Sequence, residues 1–301
     1  MKSLTIIVPC FNEEACIPLF YNEVSAVMKD RNIAWHILFV DDGSSDHTLP
    51  KIRVLSEKDG RVAYLSFSRN FGKEAAMLAG LEQVRTDLAV CMDADLQHPC
   101  GLLPQMLEIL EDPSVHIAGA KRKGRQDQSF LRRIGSILYA RFSGCTDGAT
   151  DFRMMDQMAI KALLSCRESD RYMKGLFDHI GFSTRWIEYE NVERQAGKTK
   201  WNIKSLVSYA LRDLLISETF IKTVFGFVFA LLACSTLVAM IQKNMSLVLL
   251  LLAFTMQTSL LLLLSLLLQK VLIETKHRPL YFIEESGISA DHAPSRNTSS
   301  I

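Results

Sequence analysis

The stretch DLAVCMDADLQH, residues 87–98, decides how the chain is read. It opens as a short apolar run from Leu88 to Met92 and closes on two carboxylates, Asp93 and Asp95. An apolar run of that length, bounded by polar residues, is a buried strand. Like charges at its end repel, and unpaired carboxylates are costly to bury. Something positive, or open water, has to meet them.

The same form recurs on either side. LTIIVPCF (4–11) is a β-branched run followed by helical apolar spacing. WHILFVDDGSSDHT (35–48) is a buried strand ending in an acidic Gly/Ser turn. RVAYLSFSRNFG (61–72) is a strand and loop, KEAAMLAGLEQVR (73–85) a helix, GLLPQMLEILED (101–112) a helix, and VHIAGAKR (115–122) a fifth strand. Continuous apolar strands alternating with helices predict an α/β fold, a mostly parallel sheet covered on both faces. In such sheets ligands sit beyond the carboxyl ends of the strands. The polar clusters fall there each time: Asn12-Glu13, Asp41-Asp42, Ser68-Arg69-Asn70, Asp93-Asp95 and Lys121-Arg122.

The bulk numbers narrow the class. A net charge of +1 over 301 residues, without a long basic run, gives no argument for nucleic acid. Seven cysteines without a CxxC pair read as free thiols in a reducing compartment. The 49% hydrophobic content is local: residues 223–268 are almost entirely apolar, whereas the first 215 resemble a soluble domain. Two stretches, 223–241 and 245–268, are each long enough to cross a hydrocarbon core of about 30 Å. Only QKN separates them, which implies an antiparallel hairpin. Lys204, Arg212 and Lys222 precede it and Lys270, Lys276 and Arg278 follow, against Lys243 in the connection. The positive-inside bias then puts the N-terminal domain and the C-terminus on the cytoplasmic side of a multi-pass inner-membrane protein. QSFLRRIGSILYARFSG (128–144) and NIKSLVSYALRDLLISETF (202–220) mix cations with an apolar face. They fit packed helices or helices lying in a membrane interface, and the nearby hairpin favours the second. The expected organisation is a domain at 1–215, a membrane hairpin at 216–275 and a C-terminal tail at 276–301. The tail from Glu284 on is expected to be disordered.

Alternate carboxylates at a strand end can share a hard divalent cation, Mg²⁺ or Mn²⁺, which can hold a diphosphate. Asp93 and Asp95 are the candidate ligands, and Gln97 can add an oxygen. His98 is not placed among them, and Cys91 and Cys100 read as packing residues. Asp41 can accept from a base N–H or ribose hydroxyls, while Asp42 and Asp46 suit structural roles in the turn. Neither a dinucleotide fingerprint nor a P-loop occurs.

IVPCFNEE, VDDGSSDHT, FSRNFGKEAAMLAGL, MDADLQHP, TDFRMM and ERQAGKTKWNIKSL follow one another in the order of the family-2 glycosyltransferases. The chain most resembles the polyprenyl-phosphate glycosyltransferases, which include bactoprenol glucosyltransferases and dolichol-phosphate mannose synthase. The resemblance covers about residues 3–282. It implies a GT-A-type fold, a nucleotide-diphosphate-sugar donor, inversion at the anomeric carbon and a polyprenyl phosphate acceptor at a lipid membrane. By position it places Pro9, Asn12, Glu14 and Asp41 in the nucleotide pocket, with Asp93, Asp95 and Gln97 around the metal. Arg194 and Lys200 would meet phosphates from a loop containing Gly197. Lys121 and Arg122 would grip the acceptor phosphate, unless they are a plain surface pair. Asp151 matches an acidic position often assigned as catalytic base. A lipid phosphate is already largely ionised near neutral pH, its second pKa being about 6, so Asp151 either serves as base or orients the acceptor or sugar. Arg153 would pair with Asp151 or touch the acceptor phosphate. Trp201 reads as interfacial. The implied reaction is transfer of glucose from UDP-glucose to undecaprenyl phosphate. Alternatives are another donor sugar (mannose, N-acetylglucosamine or an amino-arabinose type) and a non-catalytic scaffold. A homo-oligomer is expected by analogy only.

Overall fold

The structure is a computed structural model that describes residues 2–122, 149–166, 168, 171–190, 246–276 and 278–288. The chain divides into two units. The first is Met1–Ser129, Cys145–Lys200 and Pro279–Ile301; the second is Phe130–Gly144 and Trp201–Arg278.

Among the described residues, eight strands build the first unit. They are β1 (Ser3–Cys10), β2 (Ala34–Asp41), β3 (Val62–Phe67), β4 (Leu88–Cys91), β5 (Ile117–Arg122), β6 (Ala149–Asp156), β7 (Thr184–Tyr189) and β8 (Ile283–Ser286). Their order is β7-β5-β6-β4-β1-β2-β3-β8. β4, β1, β2 and β3 run parallel, as do β5 and β7. β6 is antiparallel to β4 and β5, and β8 is antiparallel to β3. The mostly parallel α/β expectation holds.

Strand alternation sends side chains to two cores. Ile6, Val8, Ile37, Phe39 and Val90 pack with buried residues of α1 (Cys16–Met28), α2 (Thr48–Lys58) and α4 (Leu103–Ile109). Ile7, Leu38, Val40, Ala89 and Cys91 pack with α3 (Lys73–Gln83), α5 (Gln157–Ser165) and α6 (Met173–Ile180). Covering both faces makes the central strands uniformly apolar, and each fully buried Ile, Val or Phe contributes about 1.5–3 kcal/mol. α3 lies close to the sheet because its inner residues are small. A Cβ on Gly80 would fall 2.3 Å from Ile7 Cγ2. The five described cysteines are free.

One expectation is corrected. The tail from Glu284 on, expected to be disordered, begins as part of β8. The exposed hydrogen-bonding edge of β3 recruits it. Tyr281 stacks on Phe67 at 4.9 Å between ring centroids, Tyr64 Oη donates to Glu285 Oε1 at 2.6 Å, and Arg53 pairs with Glu285.

Of the second unit, the structure describes chiefly α7 (Ser246–Thr275), a 30-residue helix. At 1.5 Å per residue it is about 45 Å long. Leu250, Leu260, Leu261, Leu264, Leu268, Val271 and Leu272 are exposed. The side chains of many α7 residues lie outside the description, and among the described residues no helix is long and apolar enough to cross a membrane. The expected span at 223–241 and the two basic apolar segments also lie outside the described residues.

Candidate active site

The carboxyl ends of β1 and β2 carry two loops that cross-link through short polar side chains. Asn12, with φ +52°, accepts from the Ser45 amide through Oδ1 at 2.8 Å, and its own amide donates to Ser44 Oγ at 2.8 Å. Asn tolerates this left-handed conformation better than most residues. Glu14 Oε2 accepts from the His47 amide at 3.1 Å, and Asp46 Oδ1 accepts from the Thr48 amide at 2.9 Å at the start of α2. Pro9 lies half-buried one residue before the end of β1. Asn12 and Glu14, expected in the nucleotide pocket, are thus engaged in holding that edge in shape.

Asp41 and Asp42 are both buried but differ in what they meet. Asp42 receives the amides of Phe71 at 2.6 Å and Gly72 at 2.9 Å. Burial raises its pKa to about 6, against the lowering effect of those two amides. It anchors the turn that leads into α3, the structural role expected of it. Asp41 Oδ2 accepts from Ser66 Oγ at 3.0 Å, whereas its buried Oδ1 has no hydrogen-bond partner among the described residues. A buried carboxylate oxygen without a donor is costly and marks a place where a ligand N–H or O–H is welcome.

The question posed by residues 87–98 is answered by Lys73. The β4–β6 register pairs Cys91 with Arg153. Continued antiparallel by two residues, it sets Asp93 opposite Asp151. The first residue of α3, Lys73, reaches between them: its Nζ lies 2.6 Å from Asp93 Oδ1 and 3.1 Å from Asp151 Oδ2. Burial pushes the Asp93 and Asp151 carboxyls upward, but the Lys73 ammonium overcomes this and both end below the usual carboxylate range. Arg122, at the end of β5, adds to the lowering at Asp93 and donates through Nε to Tyr189 Oη at 3.1 Å. Lys121 lies beside it in the ladder, in register with Ala149 and Glu188.

Asp95 is buried, and its Oδ1 accepts from the Gln97 amide at 3.1 Å, closing a tight turn. Between them the buried Leu96 takes φ +59°, a left-handed conformation costing about 1–2 kcal/mol for an L-residue. His98 Nδ1 accepts from the Asp93 amide at 3.3 Å, and the ring stacks on Phe152 at 5.0 Å. Burial lowers its pKa, so His98 is a neutral prop beneath the loop.

Among the described residues the charge partner of Asp151 is Lys73. The Arg153 guanidinium is buried, lies over Phe177 at 4.2 Å and Trp186 at 4.9 Å, and donates to the Thr150 carbonyl at 3.1 Å. In that position it stacks among aromatic rings. Arg194, Gly197, Lys200 and Trp201 lie outside the described residues.

Sequence reasoning missed Lys73 and Glu74. Glu74 Oε2 accepts from the Met173 amide at 3.0 Å, fixing the start of α6. Burial first, and the Asp151 charge second, raise its pKa to about 7. The available signal was the charge balance: two carboxylates needed a cation, and FGKE starts a helix at the same sheet edge.

Among the described residues no cluster of three or more His, Cys, Asp or Glu side chains can hold a metal alone. The oxygen donors present still fit a hard cation. Mg²⁺ is usually bound by one or two carboxylates, with substrate phosphates and water completing its shell.

The glycosyl transferase family 2 model matches residues 5–164. CsbB of Bacillus subtilis is 39% identical over 214 residues, which is 69% of this chain and 64% of CsbB, so this chain spans just under two thirds of that relative. A prophage bactoprenol glucosyl transferase homolog of Escherichia coli is 33% identical over 239 residues, 76% of this chain and 78% of that one. Glucosyl-3-phosphoglycerate synthase from Mycobacterium tuberculosis, solved with Mn²⁺, UDP-glucose and phosphoglyceric acid, has a similar fold. Its TM-score is 0.53 at 17% identity, over 73% of this chain and 79% of that chain.

Proposed function

The chain belongs to glycosyl transferase family 2, and we propose that it transfers glucose from UDP-glucose to a polyprenyl phosphate at a membrane surface, with inversion. The bactoprenol glucosyl transferase named among its relatives supports the acceptor class. The observation that carries the reading is the meeting of Asp93 and Asp151 at the carboxyl edge of the sheet. Asp41 Oδ1, without a partner among the described residues, is buried at the end of β2, two strands from β4.

Asp41 would accept from the base or ribose of the donor, in a pocket shaped by Pro9, Asn12 and Glu14. Asp93, Asp95 and Gln97 would hold Mg²⁺ or Mn²⁺, which when bound offsets charge on the departing nucleotide diphosphate. The acceptor phosphate needs no base, since its second pKa is about 6. Asp151, held as an anion by Lys73, then orients the sugar or the acceptor. Lys121 and Arg122 would grip the acceptor phosphate, and Arg194 and Lys200 would offset leaving-group charge.

Membrane attachment is part of the same proposal. The segments 223–241 and 245–268 would cross as a hairpin, with the catalytic domain and C-terminus on the cytoplasmic side of the inner membrane. A lipid acceptor makes such anchoring useful.

The test is Asp95→Ala in membranes supplied with Mg²⁺ or Mn²⁺. Sugar transfer to lipid should drop by a factor of about 100 or more, as when a charge-stabilising group is removed from an active site. Unchanged turnover would remove Asp95 and the metal from the mechanism.

A further inference from the structure

Lys73 stands where the sequence demanded a positive charge. Its ammonium touches the first carboxylate of the D-x-D at 2.6 Å and the carboxylate of Asp151 at 3.1 Å. It is held there from behind. The Asp42 carboxylate receives the Phe71 and Gly72 amides, fixing the turn from which the Lys73 side chain projects. Asp93 and Asp151 hold its pKa above the ordinary lysine value despite partial desolvation, so the amine stays protonated throughout the neutral range.

We propose that Lys73 is a built-in counter-ion that competes with divalent metal for Asp93, so that tight metal binding at the D-x-D requires the nucleotide diphosphate. The inference rests on the nucleotide-sugar reading above. A cation approaching Asp93 meets an ammonium already paired with it, and like charges at that distance repel. A diphosphate reverses the balance, because its oxygens ligate the metal and also accept from an ammonium. The Lys73 side chain is 40% exposed, which leaves its ammonium open to such oxygens. Asp151, its second partner, keeps it at the site. Lys73 is in this sense a positioning residue that makes metal and nucleotide bind together. A plain structural ion pair would leave the gain in metal affinity from the nucleotide the same whether residue 73 is charged or neutral.

The experiment measures Mn²⁺ binding to the full-length chain in detergent, by the paramagnetic signal of free Mn²⁺, with and without UDP. Wild type is compared with Lys73→Gln, with Lys73→Met as a second neutral variant and Lys73→Arg as the charge-retaining one. Without UDP, the neutral variants should bind Mn²⁺ about tenfold tighter than wild type, one pK unit of charge coupling. UDP should strengthen Mn²⁺ binding more in wild type than in the neutral variants, and Lys73→Arg should follow wild type. The melting temperature of the neutral variants should also rise more with Mn²⁺ than that of wild type. Equal or weaker Mn²⁺ binding by the neutral variants without UDP overturns the counter-ion role. No Mn²⁺ binding to wild type even with UDP overturns the nucleotide reading itself, and this inference with it.

Discussion

Glu74 carries its charge unwillingly. Burial and the nearby Asp151 raise its folded pKa from 4.5 to about 7. The folded state therefore holds a proton that the unfolded chain has released, and stability falls as pH climbs from about 4.5 through about 7. Glu74→Gln keeps an acceptor for the Met173 amide without that cost. The variant should match wild type near pH 4 and exceed it by up to about 3 kcal/mol above pH 7. Thermal melting at pH 4.5 and pH 8 measures this, and an equal difference at both pH values contradicts the assignment. Burial raises the Asp42 pKa as well, to about 6, but its removal acts through lost hydrogen bonds. Asp42→Ala strands two backbone amides, those of Phe71 and Gly72. It should cost about 2–4 kcal/mol of stability and loosen the turn that aims Lys73. A melting temperature unchanged from wild type would sink that account.

Strands and loops differed in how legible they were. β1 to β5 were readable because strands buried on both faces are short apolar runs with polar ends, as in residues 87–98. β6 was not read as a strand, because ATDFRMMD mixes charges with apolar residues. Only its antiparallel register with β4 brings Asp151 to Asp93. β8 carries almost no strand signal in IEES, and its place depends on the free edge of β3. The D-x-D was legible as a demand for positive charge. Its supplier was not, because Lys73 and Asp151 are 78 residues apart and no local pattern joins them. Two glycines test these elements. Gly43, at φ +68°, would place a Cβ 2.5 Å from the backbone of Arg69. Gly43→Ala should cost about 1–3 kcal/mol, read as a lowered melting temperature, by prising the β2 loop from the 68–72 loop. Gly287→Ala would set a Cβ 2.1 Å from the Tyr64 ring, whose hydroxyl bonds Glu285. It should lift β8, and chymotrypsin should then cut at Tyr281 or Phe282 faster than in wild type. Equal cutting rates would mean that β8 is not held through Tyr64.

Two kinds of information lie in separate parts of the chain. Under the proposed function, the sheet and its carboxyl edge would hold the donor, whereas the apolar segments beyond residue 223 would meet the lipid in which the acceptor resides. The D-x-D alone would suit any nucleotide-sugar enzyme of this fold; the combination argues for a lipid-linked acceptor. The most direct test incubates membranes containing the chain with polyprenyl phosphate and a panel of radiolabelled nucleotide sugars. The extracted lipid is then identified. The account predicts label from UDP-glucose in a glucosyl-phosphoryl-polyprenol fraction, absent with Asp95→Ala. If no nucleotide sugar labels any lipid, the central claim is contradicted.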